Sequence, residues 1–324
     1  MLSFIFNSNS KRLIYSLLVF SVSALIIDQA IYFSLKYFHS QSYYGQTGGK
    51  VNYVLNGVPN VNTLVMGSSK AYHNVNTGKI KNSFNIGHDG AMIAMNLAIL
   101  ELMEINGKLP KNILLDTDPG LYFKSDSQNF YSGKDINFIS TFYNESQLIK
   151  KVIRENDNKW LAYKLFKSFA FNGKVFSLIK NYIKTKLYSK GNYNGFGPLI
   201  YNQIEQEKFI KSIQSQPMAV DSIKCYDDIF SISLLTRFIL TCKKNNINLI
   251  CYNAPEYLGN IYCNDNLMNL FIEHDIEFYN YSDILKYHTI FKEAKYWKDK
   301  AHLNKEGADI FTDILIRDTN IQGI

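Results

Sequence analysis

Five short apolar segments, each separated from the next by a helical stretch, constrain the fold of this chain more than any other feature. Short strands that alternate with helices are typical of an α/β domain, in which a central parallel sheet carries helices on both faces. The predicted strands are Val61–Met66, Ser83–Ile86, Asn112–Asp116, Asn248–Tyr252 and Glu277–Asn280.

Helices are predicted on either side of these strands. Gly90 opens a helix with a broad apolar face that runs to Ile105, and Asn304 is a good N-cap for the last helix. A long connection separates the third and fourth strands, and we expect a helical insertion there at about residues 137–218. Its aromatic residues have helical spacing, which favours a core role over a glycan platform. The loop at 191–198 either caps a site or only connects helices.

Polar or small residues stand just after several of the predicted strands. They are Ser69, Gly90, Asp118 and Asn253. Because open α/β sheets bind their ligands at the carboxyl ends of the strands, these residues mark the expected site.

Two motifs far apart in the sequence carry acid–base and nucleophilic chemistry. Gly67-Ser68-Ser69 directly follows the first predicted strand, and a serine on such a turn becomes a nucleophile when a base lies beside it. Asp299 and His302 are three residues apart, so the carboxylate can bind imidazole Nδ1–H and leave Nε2 to face the serine. We therefore predict the triad Ser69, Asp299 and His302, with Ser68 as the alternative nucleophile.

At these positions the chain resembles the SGNH (GDSL-like) hydrolase superfamily. Ser69 fills the nucleophile position, residues 85–90 match the second block, Asn-x-Gly-x-x-Gly, and residues 299–304 match the last block, Asp-x-x-His-x-Asn. The sequence departs from the pattern twice, because Ser68 replaces the usual Asp and residues 115–120 lack the third-block Asn that donates to the oxyanion.

The resemblance implies a three-layer, flavodoxin-like SGNH fold and serine acyl transfer. Its implied oxyanion and substrate-binding residues are Gly90, Asn85, Asp118 and Asn253. The backbone N–H groups of Ser69 and Gly90 are the candidate oxyanion donors, whereas Asp118 would be a poor donor unless protonated. Asn85 has the alternative role of capping the strand end. No metal or nucleotide motif is seen, and we expect neither a metal nor another cofactor.

A mostly apolar stretch from Leu13 to Leu35 is long enough for one bilayer crossing. Lys11 and Arg12 precede it, which favours a cytoplasmic N-terminus and an extracytoplasmic body. The alternatives are a signal peptide cleaved near Val22-Ser23-Ala24 and a buried helix of a soluble protein. We expect a tail and transmembrane anchor at residues 1–36, a tether at 37–58 and a catalytic domain at 59–324.

The net charge of +7 is unevenly distributed, because basic residues concentrate in residues 150–190, where the only acidic residues are Glu155 and Asp157. This segment either faces anionic lipid or an acidic glycan, or is a solvated helical face. A nucleic acid partner is not expected outside the cytoplasm. The four cysteines lack metal-binding spacing; Cys251 and Cys263 are the nearest candidates for a disulfide, and unpaired core thiols are the alternative.

These features together predict a membrane-anchored esterase or O-acetyltransferase acting on an extracytoplasmic polysaccharide or other glycan. Membrane-anchored proteins of this type resemble those associated with bacterial polysaccharide O-acetylation, so a membrane-bound acyltransferase is an expected partner. Membrane lipid is the other expected partner, through the anchor. The alternative is a non-catalytic glycan-binding or assembly protein that keeps a relic of the site.

Overall fold

The computed structural model describes residues 8–57, 61–118, 133–188, 193–200, 202–214, 224–225, 229–257, 262–263, 265–283 and 291–324. The strands are β1 (Thr63–Met66), β2 (Ser83–Asn85), β3 (Asn112–Asp116), β4 (Lys224–Cys225), β5 (Asn248–Asn253), β6 (Tyr262–Cys263) and β7 (Glu277–Asn280). The helices are α1 (Ser8–Ser40), α2 (Gly49–Asn52), α3 (Ser69–Asn74), α4 (Ile93–Ile105), α5 (Gly133–Ile139), α6 (Gln147–Asn156), α7 (Trp160–Leu165), α8 (Val175–Leu187), α9 (Gln203–Gln214), α10 (Ile229–Lys244), α11 (Asp265–Glu273) and α12 (Lys305–Thr319). Single π or 3₁₀ turns lie at Tyr53–Gly57, Thr77–Lys79, Ser140–Phe142, Lys167–Phe171 and Ala294–Tyr296.

The five predicted strands form one parallel sheet in the order β2-β1-β3-β5-β7. Val65 of β1 is in register with Leu114 of β3, and Leu114 with Ile250 of β5. Since every strand runs the same way, all their carboxyl ends meet at one edge of the sheet. The mixed α/β fold with a central parallel sheet is therefore confirmed. β4 and β6 form a separate parallel pair.

Helices cover both faces of the sheet. Successive side chains of a strand point to opposite faces, so the apolar residues of these strands need cover on both. Leu64 and Met66 belong to one buried cluster, together with the apolar side chains of α4 and α10. Val65 points the other way, into a second cluster formed with α12. α4 begins at Ile93 rather than at Gly90, and the side chain of Asn304 caps α12 by accepting the Gly307 N–H at 3.0 Å.

α1 is long and apolar enough to cross a membrane, and most of its residues from Leu13 to Phe33 are exposed. A signal sequence near the N-terminus meets the same criteria of length and composition. The rest of the protein packs against the second half of this helix. Asp28 is buried and accepts the backbone N–H groups of Lys167 and Ser168 at 2.9 and 3.1 Å, while Tyr32 is buried against Phe171.

Residues 37–57, which fall in the expected tether at 37–58, are folded against the domain. Lys50 is buried and donates to the Gly87 carbonyl at 2.7 Å, and Tyr53 stacks on Phe84 of β2. Polar and glycine residues in this segment imitate a linker in composition. They serve instead to make close turns, as at Gly49, where an added Cβ would meet the Tyr44 carbonyl oxygen at 1.8 Å.

The connection between β3 and β5 contains α5 to α9, but not all of its aromatic residues enter the core. Phe171 is buried, whereas Phe166 is 40% exposed and Phe176 is 92% exposed. Helical spacing predicts a shared face, but it does not say whether that face meets protein or another medium. Cys242 and Cys251 are buried free thiols, and the side chain of Cys263 lies outside the described residues.

Candidate active site

The turn at residues 67–69, which carries the predicted nucleophile and is called the nucleophile turn below, follows β1. It places Ser69 at the first residue of α3. Gly67 has φ +139°, and a Cβ there would lie 2.8 Å from the Cβ of Asp116, so this turn requires glycine. Ser68 caps α3 by accepting the Lys70 N–H at 3.3 Å. Ser69 is therefore presented at the edge of the sheet where the strands end.

Ser69, His302 and Asp299 form a continuous hydrogen-bonded chain. The Ser69 hydroxyl lies 2.8 Å from His302 Nε2, and His302 Nδ1 lies 2.9 and 3.0 Å from the two carboxylate oxygens of Asp299. With Nδ1–H donating to the carboxylate, Nε2 is the acceptor for the serine proton. The structure thus brings together all three residues of the predicted triad.

Asp299 is held as a carboxylate by its donors. Partial burial opposes its ionisation, but the hydrogen bond from His302 and the backbone N–H groups of Ala301 and His302 outweigh it, so the pKa of Asp299 is lowered. Half of the Asp299 side chain is exposed, whereas His302 is 22% exposed. A carboxylate in this position favours the imidazole tautomer that a serine nucleophile needs.

Asn74 at the end of α3 joins the two halves of the triad. Its side-chain oxygen accepts the Leu303 N–H at 2.9 Å, and its amide lies 3.5 Å from the Ala301 carbonyl. Asn74 is fully buried. The helix that begins with Ser69 therefore holds the backbone on both sides of His302.

Ser68 is not the serine that faces His302. Its hydroxyl is buried and lies 3.2 Å from an oxygen of Asp118 and 3.4 Å from one of Asp116. The side chain is thus turned inward, away from the site edge, which favours Ser69 over Ser68 as the nucleophile.

Gly90 borders the site through the loop that follows β2. The His88 N–H donates to the Gly67 carbonyl at 3.2 Å, which fastens this loop to the nucleophile turn. Gly90 itself has φ +70°. The neighbouring Asp89 accepts from His73 at 2.9 Å, and the His73 ring packs edge-on against His302 with centroids 5.6 Å apart.

Asn85 has contacts that differ from those expected of a substrate-binding residue. Its amide donates to the carbonyls of Ala71 and Val75 at 2.7 and 2.9 Å, and its oxygen accepts the Gly87 N–H at 3.0 Å. The side chain is fully buried. Asn85 therefore fastens α3 to the end of β2, which corresponds to the capping alternative.

Asp118 is engaged in a buried ion pair, so it does not match the expected role at an oxyanion. Lys70 Nζ donates to Asp118 at 3.1 Å and also to Glu256, which follows β5. The three side chains are 6, 8 and 12% exposed for Lys70, Asp118 and Glu256. Asp118 has φ +27°, an unusual backbone conformation that aims its carboxylate at this cation.

Asn253 and Asp116 lie deeper beneath the same edge. The Asn253 amide donates to Asn280 at 3.1 Å, and its own side-chain oxygen is buried without a partner among the described residues. Asp116 accepts the Ala254 N–H at 3.2 Å. Burial and the neighbouring Asp118 carboxylate raise the pKa of Asp116 to about 7, against the opposing effect of Lys70. Both residues support strand ends, and neither contacts the triad.

His73 is a second histidine beside the triad, and two hydrogen bonds hold its ring in place. Its Nδ1 lies 2.6 Å from the Gly197 carbonyl and its Nε2 binds Asp89, two partners that can only accept. The hydrogen bond from His73 lowers the pKa of Asp89 to about 2, with Gln46 contributing. Residues 193–200 thus pack beside α3 and border the site rather than merely connecting helices. Among the described residues, no group of three or more His, Cys, Asp or Glu side chains is arranged to hold a metal ion.

No family model matches the sequence, and no curated protein matches it significantly.

Sequence reasoning missed three residues of this region: Lys70, Glu256 and Asn74. Each is polar and buried or nearly so. The available signal was position, since Lys70 and Asn74 share the short helix of Ser69 and Glu256 closely follows a predicted strand. Nothing in a single sequence pairs residues from such distant segments.

Proposed function

We propose that the protein is a serine-dependent acyl-transfer enzyme, an esterase or O-acetyltransferase of SGNH type. The single observation that carries the proposal is the hydrogen-bonded chain from Ser69 through His302 to Asp299. A serine, an imidazole and a carboxylate within hydrogen-bonding reach, in this order, are what nucleophilic acyl transfer requires.

The chemistry follows from the two faces of the imidazole. His302 Nε2 takes the proton of Ser69 as the hydroxyl oxygen attacks the carbonyl carbon of an ester. When the tetrahedral intermediate collapses, the C–O bond to the alcohol breaks, and the alcohol leaves with that proton while the acyl group stays on Ser69. A second hydroxyl, from water or a sugar, then gives its proton to His302 and attacks the acyl carbon. The bond from that carbon to the Ser69 oxygen breaks, and His302 returns the proton to Ser69. Asp299 stabilises the imidazolium at each step.

Backbone N–H groups are the best candidates to donate hydrogen bonds to the oxyanion. Ser69 is the first residue of α3, where a backbone N–H has no acceptor within the helix. The N–H of Gly90 is the second candidate, on the loop fastened to the nucleophile turn. Because Asp118 is committed to Lys70, a hole with few donors is expected, and each missing donor costs about 10²–10³ in rate.

The proposal extends to the setting of this chemistry. A flavodoxin-like SGNH arrangement agrees with a parallel sheet covered on both faces, and α1 suits a single membrane anchor. With Lys11 and Arg12 before the apolar stretch, the body lies outside the cytoplasm. There the substrate is an O-acylated, most simply O-acetylated, glycan, and a membrane-bound acyltransferase is a fitting donor of the acyl group.

A second candidate function is a glycan-binding or assembly protein with a relic site. The observation that favours it is the occupation of Asn85 and Asp118 by contacts within the protein, which leaves no side-chain donor from these two for an oxyanion. The intact triad favours catalysis.

Intact-mass analysis after exposure to a serine-reactive alkyl phosphonate tests the proposal. The full chain should gain one phosphonyl adduct on Ser69, and Ser69→Ala and His302→Ala should each lose both the adduct and hydrolysis of an acetyl ester. Asp299→Asn should reduce the rate by up to about 10⁴, because the amide disfavours the required tautomer. Ser68→Ala is the matched control and should still be labelled. Labelling that persists in Ser69→Ala, or a folded wild type that neither labels nor hydrolyses, would refute the enzymatic proposal.

A further inference from the structure

An open cavity of about 530 Å³ lies between α6 and α7, on the insertion and not at the triad. Asn144 and Gln147 line it, together with the aromatic rings of Tyr143, Trp160 and Tyr163. This composition combines apolar walls with polar donors, as binding pockets for small polar groups do.

The remaining lining residues give the cavity a single sign of charge. They are all basic: Lys150, Lys151, Arg154, Lys164 and Lys167. None of the ten lining residues is acidic. The carboxylates that contact the set are Glu155, 3.8 Å from Arg154, Asp157, which is hydrogen-bonded to Tyr163, and Asp28, which accepts the backbone N–H of Lys167 at 2.9 Å. Concentrated positive charge around one cavity attracts an anion, and phosphate is a group that both Lys and Arg bind through charge-assisted hydrogen bonds.

The cavity is attached directly to α1. Lys167, which lines it, donates its backbone N–H to Asp28, and Glu145, next to the lining residue Asn144, pairs with Lys36 at 3.6 Å. Residues that line the cavity, or directly neighbour its lining, therefore contact α1 at Asp28 and at Lys36.

Helix geometry relates these contacts to a bilayer. A hydrocarbon core about 30 Å thick takes about 20 residues at 1.5 Å per residue. Counted from Leu13, the first apolar residue after Lys11 and Arg12, the outer boundary of the core falls at Tyr32 or Phe33. This boundary lies between Asp28 and Lys36, so the cavity opens at the level of the outer lipid headgroups.

The surface beside the cavity has the composition of a membrane interface. Three apolar side chains there are exposed: Leu161 and Leu165 of α7, at 52 and 58%, and Phe166, which directly follows α7, at 40%. Exposed apolar side chains next to lysines are typical of segments that lie in the headgroup region.

We propose that the cavity between α6 and α7 binds the phosphate-bearing headgroup of an anionic lipid in the leaflet that the body faces. The apolar side chains of α7 contact the acyl-chain boundary and the basic side chains surround the phosphate. The inference requires α1 to lie in a bilayer and is independent of the proposed acyl transfer.

Tryptophan quenching tests the proposal, since the chain has two tryptophans, Trp160 in the cavity and the buried Trp297. The full-length protein is placed in phosphatidylcholine nanodiscs that contain a minor fraction of lipid brominated near the headgroup. Brominated phosphatidylglycerol should quench about two-fold or more above brominated phosphatidylcholine at the same fraction, because clustered basic side chains enrich anionic lipid. Trp160→Phe should lose this quenching and leave the signal of Trp297.

Charge variants distinguish a headgroup site from general proximity to lipid. Arg154→Gln/Lys164→Gln should lose the preference for phosphatidylglycerol, whereas Lys211→Gln/Lys243→Gln, which removes the same charge from exposed positions on α9 and α10, should keep it. Should the first variant unfold, Lys150→Gln alone should weaken the preference.

Three results would overturn the proposal. The first is no quenching of Trp160, or equal quenching by both lipids. The second is loss of the preference when inorganic phosphate is added, which would indicate a site for free phosphate. The third is displacement of the lipid by polygalacturonate, which would indicate an acidic glycan.

Discussion

Replacing Lys70 by methionine would remove the cation that lies between two nearly buried carboxylates while keeping an unbranched apolar side chain of similar length. Lys70 Nζ binds Asp118 at 3.1 Å and contacts Glu256, and all three side chains are at most 12% exposed. The Ser68 hydroxyl also points to Asp118. Lys70→Met would thus leave two carboxylates facing each other with little water.

The expected cost is about 3–5 kcal/mol of the free energy of unfolding, the range for removing one partner of a buried ion pair. Lys305→Met is the matched control, because Lys305 pairs with Asp309 at 2.7 Å but its side chain is 58% exposed. Exposed helical pairs of this spacing contribute only about 0.3–0.5 kcal/mol. The triple variant Lys70→Met/Asp118→Asn/Glu256→Gln should recover most of the loss, since it neutralises both carboxylates that Lys70 contacts.

The cost should also depend on pH. Burial and the Asp118 carboxylate raise the pKa of Asp116 to about 7 against the opposing effect of Lys70, so without Lys70 this pKa should rise further. The folded variant then keeps a proton on Asp116 at pH values where the unfolded chain has released it. Its stability should therefore fall as pH rises and recover as pH falls, with the full deficit at about pH 8 and a smaller one at about pH 5.

Urea unfolding of the full-length protein in detergent, followed by the fluorescence of the buried Trp297, measures these differences. A deficit for Lys70→Met no larger than that of Lys305→Met, or one that does not shrink at low pH, would refute the reasoning.

Three further outcomes are expected. If the purified protein is incubated with an acetyl donor, NMR should show slow release of acetate and, with a glycan acceptor, transfer of acetyl groups to the glycan. Release is slow because an oxyanion hole with few hydrogen-bond donors slows hydrolysis. Rapid acetate release that glycan does not divert would leave only the esterase function. Asn74→Ala should lower kcat for ester hydrolysis by at least about tenfold, because the backbone around His302 is held less firmly. Asn74→Asp should retain more activity, since its side-chain oxygen can still accept the Leu303 N–H. Equal rates for both variants and wild type would contradict the positioning role. Burial raises the pKa of Asp135 to about 8, so the folded state keeps a proton that the unfolded chain loses near 3.8, and wild-type stability should fall as pH rises between these values. In Asp135→Asn the thermal unfolding temperature should vary less with pH and be higher than wild type at pH 8, and a parallel pH profile would contradict this.

The strands and the contact between Ser69 and His302 could be predicted because their signals are local. β3 and β7 match their predicted bounds, and the other three differ by at most two residues. Short apolar runs between helices bury themselves in only a few ways, so the parallel sheet follows from pattern alone. The contact between Ser69 and His302 was expected from two motifs whose residue types are complementary.

The contacts of residues 37–57, Asn85 and Asp118 could not be predicted because they depend on distant partners. A polar, glycine-containing segment has the composition of a linker, yet residues 37–57 are held by Phe84, Gly87 and Thr185. A polar residue after a strand marks the site edge, but its direction depends on what lies beneath it. For Asp118 that neighbour is Lys70, which no motif indicated.

The sequence by itself determined the α/β class, the apolar N-terminal helix and the residues able to perform serine chemistry, because periodicity, length and residue type are properties of short segments. Only the tertiary structure decided that Ser69 rather than Ser68 faces His302, that Asn74 supports both sides of the histidine, and that Lys70 occupies Asp118. These outcomes depend on burial and on distances between segments far apart in the chain, and such distances exist only once the sheet has brought the strand ends together.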